Sequence, residues 1–339
     1  MTISSSRAAR LIALILIIII GVYAISALVP VSESYPGKNP LMKDGAVPSM
    51  VAHRGGCAEF PENTLEAFYN AYSVDKNVIM ETDVNLTKDG VLILLHNERL
   101  DATTNVTGFA SDWNYTDLIA QRVDFGYDNP TDDTVLAGER AYFTVDGERR
   151  LPTDVTYPDG VTARDGEIYL ATTFEELIVA FPDNIISVEI KQGGKNGIRA
   201  AEEAVRLIEK HGAFDRVILT SFRDEVTLEL KKFQRQGIVP DTFMRAPGIL
   251  GVAKFYALTI LGLGSLYSDN VAILEISMGE LGLNFATEKL IKTAREHNVA
   301  ICYWTINDEA DMRYLIELGA DAIMTDSPTL MKKVFDEYK

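Results

Sequence analysis

From residue 49 onward, short apolar, β-branched runs alternate with longer amphipathic stretches, and this alternation restricts the fold more than any other feature of the chain. The runs are 50–53, 78–84, 185–190, 217–221, 242–245, 272–276, 299–305 and 322–325. Between them lie helical patterns such as 64–72, 197–211, 224–236, 287–297 and 309–318. Strands separated by helices pair in parallel, because each crossover needs a dozen or more residues. A ninth run, 91–96, follows 78–84 across only Leu86-Thr87-Lys88-Asp89-Gly90. That link is too short for a crossover, and Asp-Gly is a hairpin signal. The ninth run is therefore expected to lie antiparallel, as an accessory arm. Eight parallel strands remain, the number in a TIM-type (β/α)8 barrel, so residues 49–339 are expected to form one.

Two segments break the alternation. Residues 97–170 are rich in Asp, Thr, Gly and Pro without a sustained period, and read as an inserted lobe beside the barrel mouth. Residues 246–268 are strongly apolar. Two readings stand for them: a buried barrel helix plus loop, or a lid over the mouth that dips into a membrane interface.

Ahead of the barrel, residues 11–29 form an uncharged apolar run, preceded by Arg7 and Arg10. At 1.5 Å per residue such a run approaches the roughly 30 Å hydrocarbon core of a bilayer. It is longer than the core of a usual signal peptide, so an uncleaved anchor is expected over a cleaved leader. The upstream arginines place residues 1–10 in the cytoplasm and the body of the chain outside. Residues 30–48, with Pro30, Pro36, Gly37 and Pro40, read as a stalk.

Composition removes one function class. The formal net charge is -17, so the basic footprint of a nucleic-acid-binding protein is missing. Hydrophobic residues make up 47 % of the chain, enough for a large core. Two cysteines, Cys57 and Cys302, stand far apart without metal-ligand spacing, and are expected as buried free thiols, although an oxidising compartment would permit one disulfide.

In a barrel the reactive groups sit at the C-terminal ends of the strands. His53 and Arg54 follow the first strand, Glu81 and Asp83 lie in the second, His96 ends the hairpin arm, and Glu189 and Lys191 end the third. Residues two apart on a strand face the same side, so Glu81 and Asp83 point inward together, as do Glu189 and Lys191. Converging interior carboxylates need compensating cations. Two readings stand: a hard-cation site for Mg²⁺ or Ca²⁺, or an internal ion-pair network such as Lys191 with Glu81. His53 and His96 flank the same point and suit a general acid and base near neutral pH. Arg54 offers a bidentate fork for phosphate oxygens, and Gly55-Gly56 would let backbone approach an anion. His211 and His297 precede strands at helix C-termini, an ordinary capping position. The reaction class this points to is metal-assisted phosphoryl transfer to water or to an internal hydroxyl.

The segments AHRGG and PENTLEAF within 52–68, METDVNLTKDGVLILLHNERLDATTNVTG (80–108), VEIK (188–191), SF (221–222), YWTIN (303–307) and GADAIMTDSP (319–328) resemble, in order, the glycerophosphodiester phosphodiesterase family. The resemblance implies a TIM-type barrel with an insertion after the second-strand region, and hydrolysis of glycerophosphodiesters to glycerol 3-phosphate and an alcohol. It implies His53 and His96 as the acid–base pair, Glu81, Asp83 and Glu189 as ligands of Ca²⁺ or Mg²⁺, and Arg54 and Lys191 as phosphate-binding positions. Trp304 then walls the substrate pocket, and Glu62 and Asn63 belong to the ENT signature, with Glu62 expected to brace Arg54. One departure is visible: Asn97 stands after His96 where the family usually has Asp. That change removes a neighbouring charge but neither a ligand nor a catalytic imidazole. Partners are then a small or lipid-like phosphodiester and, through the N-terminal helix, the cell membrane. Alternatives are lysophospholipase D-type activity, cleavage of glycerol-phosphate wall polymers, or a non-catalytic barrel that binds phosphorylated ligands. A phosphatidylinositol-specific phospholipase C would share the two histidines, but fits the ENT, EIK and WTIN segments poorly.

Overall fold

A computed structural model describes residues 5–43, 45, 47–127 and 150–339. Residues 1–4 of the expected cytoplasmic terminus and 128–149 of the expected insertion lie outside the described residues. In chain order the elements are α1 (Ser5–Leu28), β1 (Ser49–Ala52), α2 (Leu65–Val74), β2 (Ile79–Leu86), β3 (Leu92–Leu94), α3 (Tyr115–Ala120), α4 (Phe174–Ala180), β4 (Ile186–Ile190), α5 (Gly194–Lys210), β5 (Val217–Thr220) and α6 (Asp224–Arg235). They continue with β6 (Met244–Arg245), α7 (Ile249–Ile260), β7 (Ile273–Ile276), the short hairpin β8 (Gly279–Glu280) and β9 (Leu283–Asn284), α8 (Glu288–Glu296), β10 (Ala300–Tyr303), α9 (Glu309–Leu318), β11 (Ala322–Thr325) and α10 (Pro328–Asp336).

Eight strands run parallel in the order β6-β5-β4-β2-β1-β11-β10-β7. The sheet curls until Ala272 N–H donates to the Arg245 carbonyl at 3.0 Å, bridging its two outer strands into a nearly closed (β/α)8 barrel. This is the TIM-type architecture expected from the alternation. β3 pairs antiparallel with β2, from Val84↔Leu94 to Leu86↔Leu92. Gly90, at φ 84, turns that hairpin with a conformation open to glycine at no steric cost. Helix starts follow side-chain chemistry: Thr64 caps α2 by accepting from Ala67 N, Thr173 caps α4 within a capping box, and Asp308 caps α9. The Thr of the ENT signature is thus a helix cap.

The segment expected as a stalk does not stand away from the barrel. Tyr35 and Leu41 are buried with Val51, Ile79, Ile218, Met244 and Ala300, the inward side chains at the N-terminal ends of the strands. Asn39 Nδ2 donates to the carbonyls of Ala272 and Asn298, and Tyr35 OH to that of Thr242. Residues 34–43 therefore plug the barrel floor. Leu41 is 1 % exposed, so Leu41→Ala is expected to destabilise the barrel by about 2–5 kcal/mol through the cavity it leaves. Denaturant unfolding measures this; a stalk residue would show no change.

Residues 246–268 contain the helix of the fifth βα unit rather than a lid across the mouth. α7 runs from the mouth, where Ile249 and Leu250 are exposed, to the floor, with Phe255 and Thr259 buried against the barrel. The Phe255 ring meets Tyr267 edge-on at 4.9 Å. α1 contains a 19-residue stretch, Arg10–Leu28, long and apolar enough to cross a membrane by length and composition. Cys57 and Cys302 are both free thiols.

Candidate active site

At the C-terminal ends of the strands, His53, Arg54, Glu81, Asp83, His96, Glu189, Lys191 and Trp304 line one cavity of about 170 Å³. The barrel register explains the meeting. Glu81 pairs with Ser187 and Asp83 with Glu189, so the inward positions of β2 and β4 stand side by side.

Asp83 is the hub. Lys191 Nζ approaches its Oδ1 at 3.0 Å and Arg54 Nε its Oδ2 at 3.4 Å, while Asn63 Nδ2 donates to Oδ2 at 3.1 Å. Asn63 Oδ1 in turn accepts from Thr82 Oγ1 and from Asp83 N. Burial works against ionisation of Asp83, but Lys191 and then Arg54 overcome it and hold the carboxyl well below the usual range. Arg54 Nη1 donates to Glu62 Oε2 at 2.7 Å, so Glu62 braces the arginine fork. Lys191 also donates to Glu189 Oε2 at 2.7 Å.

Glu81 has a different environment. Its Oε2 accepts from Arg54 N at 2.8 Å, and burial, reinforced by Asp83, pushes its carboxyl up to about 8. Glu189 is also raised by burial. Glu81, Asp83 and Glu189 thus face Arg54 and Lys191 in one cavity, and the excess negative charge is costly unless a further cation balances it. The all-oxygen donor set of Glu81, Asp83 and Glu189 fits a hard divalent cation such as Mg²⁺ or Ca²⁺. The more compact group among the described residues is His53, Cys57 and Asp326. Its atoms already satisfy one another: Asp326 Oδ1 accepts from His53 Nδ1 at 2.6 Å and from Cys57 Sγ at 2.9 Å. Burial also drives the Cys57 thiol pKa up, which keeps it protonated. That trio orients an imidazole; it does not present open donors.

The pKa values of the two histidines are shifted in opposite directions. Burial, the largest influence, lowers the His53 pKa, but the hydrogen bond to Asp326 together with the charges of Glu81 and Asp326 outweighs it, leaving His53 raised. Asn307, the last residue of the WTIN segment, fixes Asp326 through Nδ2 and accepts from its backbone N–H. His96 Nδ1 lies 2.7 Å from Asn97 Oδ1, an acceptor, so that nitrogen carries the proton and Nε2 is free of it. Burial, with Arg54 and Lys191, pulls His96 down to about 4. The Asn at 97 therefore orients the ring as an Asp would, without adding charge.

Gly55 and Gly56 have another use than the one expected. A Cβ on Gly55 would lie 2.8 Å from Ala67 Cβ, and one on Gly56 2.6 Å from Pro328 Cγ. They let the loop bearing His53 pack against α2 and α10, and both are at positive φ.

The sequence reading missed Glu275. It sits in the middle of β7, lines the same cavity, and accepts from Ser187 Oγ at 2.7 Å across the barrel. Its signal was an acid within the apolar run ILEI, inward-facing by register with Cys302. Burial pushes its carboxyl up to about 7. Because the folded value lies above the free one, the cost of charging Glu275 is absent below about pH 4.5 and complete above about pH 7. Glu275→Gln is thus expected to match the wild type at pH 4.5 and to exceed its stability by about 2–4 kcal/mol at pH 8, in metal-free buffer. Thermal unfolding at the two pH values checks the sign.

A barrel whose open end gathers two imidazoles with oppositely shifted pKa values, four carboxylates, a braced arginine and a lysine defines a phosphoric diester hydrolase. The Glycerophosphoryl diester phosphodiesterase family model matches residues 53–330, and the chain belongs to that family. It is 28 % identical over 279 residues to a glycerophosphodiester phosphodiesterase of Caldanaerobacter subterraneus subsp. tengcongensis, covering 82 % of this chain and 94 % of that one. It is 23 % identical over 306 residues to human Lysophospholipase D GDPD3, covering 85 % of each. The fold matches an Oleispira antarctica phosphodiesterase solved with the product sn-glycerol-3-phosphate, at TM-score 0.60 and 18 % identity over 86 % of this chain and 97 % of that chain.

Proposed function

We propose that this chain hydrolyses glycerophosphodiesters to glycerol 3-phosphate and an alcohol, with His96 and His53 as base and acid and with a divalent cation held by Glu81, Asp83 and Glu189. The observation that carries the reading is the opposite poise of the two imidazoles on one cavity that also holds the carboxylates. His96 Nε2 accepts the proton of the attacking hydroxyl as its oxygen bonds to phosphorus. His53, held by Asp326, gives a proton to the departing alkoxide as the ester P–O bond breaks. Arg54 and Lys191 orient the phosphoryl oxygens, and Trp304 with Phe222, ring centroids 6.1 Å apart, walls one side. A bound cation, Ca²⁺ or Mg²⁺, supplies Lewis-acid stabilisation of the charge that builds on those oxygens. The chain is held at the cell membrane by α1 as a single span, with the barrel on the extracytoplasmic side.

The relatives named lysophospholipase D make lysolipids the second substrate class to test. The assay follows glycerol 3-phosphate release by the full chain from glycerophosphocholine, glycerophosphoethanolamine and a polyglycerol phosphate, and choline release from lysophosphatidylcholine. Turnover of the first two is expected. No turnover of any by folded, metal-loaded protein would turn the reading toward a barrel that only binds such ligands.

A further inference from the structure

The apolar N-terminal helix and the active site lie at opposite ends of the barrel. Tyr23 OH donates to the Leu261 carbonyl at 2.8 Å, at the floor end of α7. Ser26 Oγ meets Ser265 Oγ at 2.7 Å, and Ser265 Oγ also lies 2.7 Å from the Ser26 carbonyl. Directly after α1 the chain enters the floor: His297, fully buried, lies 2.8 Å from the Ser32 carbonyl, and Ser34 N–H donates to the His297 carbonyl at 2.7 Å. Only residues 29–33 separate the end of α1 from that contact. Even fully extended, five residues reach at most about 18 Å. The eight residues of β2 alone rise about 26 Å along the barrel wall. The connection cannot swing the mouth round to the side from which α1 enters. Only 6 % of the apolar stretch is buried, so α1 projects away from the floor rather than lying along the wall.

Resting on the reading of α1 as a membrane span, we propose that the barrel floor sits on the bilayer and the catalytic mouth faces away from it, so that the substrate is a water-soluble phosphodiester arriving from the aqueous side. Exposed Leu28, Val29 and Val31 below α1 and exposed Ile260 and Leu261 on the adjoining turn form the apolar rim that would rest on the interface. A lysolipid held in the same bilayer would have to withdraw its whole acyl chain into water and travel the height of the barrel. The mouth also exposes Phe222, Leu250 and Leu281, which by themselves would suit a membrane-facing opening. The direct joint between α1 and the floor decides against it, because the two ends cannot both touch one bilayer.

The test places the full chain in lipid nanodiscs carrying a head-group quencher, with a fluorophore on Glu296→Cys at the floor or Leu281→Cys at the mouth. Unsubstituted protein gives the background from Cys57. Strong quenching of the floor label with little loss at the mouth is expected, together with turnover of soluble glycerophosphocholine that exceeds turnover of lysophosphatidylcholine embedded in the disc. Equal or stronger quenching at Leu281→Cys overturns the proposed orientation. A chain that elutes apart from the discs overturns the anchor on which it rests. Disc-bound protein with the expected quenching but no turnover of any phosphodiester would instead contradict the catalytic reading and leave the orientation standing.

Discussion

His53→Ala and His96→Ala are each expected to lower kcat on glycerophosphocholine by about 10²–10⁴-fold, the usual contribution of one positioned acid or base. Neither imidazole carries the fold: among the described residues the His53 ring bonds to Asp326 at the mouth, and the His96 ring to its neighbour Asn97. Their unfolding midpoints are therefore expected to stay close to that of the wild type, and circular dichroism melts run beside the kinetics establish this. On the proposed proton path the two act in one reaction, and the double variant is then expected to lose far less than the product of the two single losses. An additive double variant would mean that the two rings do not serve one reaction.

Removal of the carboxylates should separate stability from activity in opposite directions. Asp83 neutralises both Lys191 and Arg54, and all three are largely buried. Asp83→Ala leaves two buried cations short of a partner, and is expected to cost about 3–5 kcal/mol as well as all measurable turnover. Glu81→Gln should also abolish turnover, yet stabilise the metal-free protein. Burial holds its carboxyl at about 8, above the free value, so the cost of ionising it is absent below about pH 4.5 and complete above about pH 8. In EDTA at pH 8 the Gln variant should therefore unfold at a higher temperature than the wild type, and the gap should close as the pH falls to 4.5. Loss of stability in Glu81→Gln would show that the carboxylate is already balanced by the protein's own cations. A residue that weakens the empty protein while enabling its chemistry is the pattern expected of a cation ligand.

Much of this architecture was legible in the sequence, for physical reasons. Each barrel strand is flanked by a helix with its own polar face, so the period switches at every boundary, and the ends of the expected strands fall within two residues of those observed. The Asp-Gly turn marked β3 as antiparallel because no parallel crossover fits five residues. The two-residue spacing of Glu81 with Asp83 and of Glu189 with Lys191 placed them inward, and the cavity holds all four. What the sequence did not disclose depended on long-range packing. Residues 34–43 carry turn-forming residues and read as a stalk, but Tyr35 and Leu41 find the barrel floor. Residues 246–268 are apolar enough for a lid, and only the position of β6 and β7 shows that α7 must descend the wall. Asp326 stands within the GADAIMTDSP segment, but its hold on His53 spans 273 residues of sequence and has no local signature. Glu275 was hidden because one acid in four strand residues looks like an outward-facing position until the register is known.

A cation that joins the carboxylates and imidazoles in one reaction is tested most directly by glycerol 3-phosphate release from glycerophosphocholine by the full chain after EDTA treatment, followed by addition of Ca²⁺ or Mg²⁺. Activity that vanishes with the chelator, returns with one of these ions in the wild type, and fails to return in Glu81→Gln or Asp83→Asn is the predicted result. Undiminished hydrolysis in EDTA, or full recovery in those variants, would contradict it.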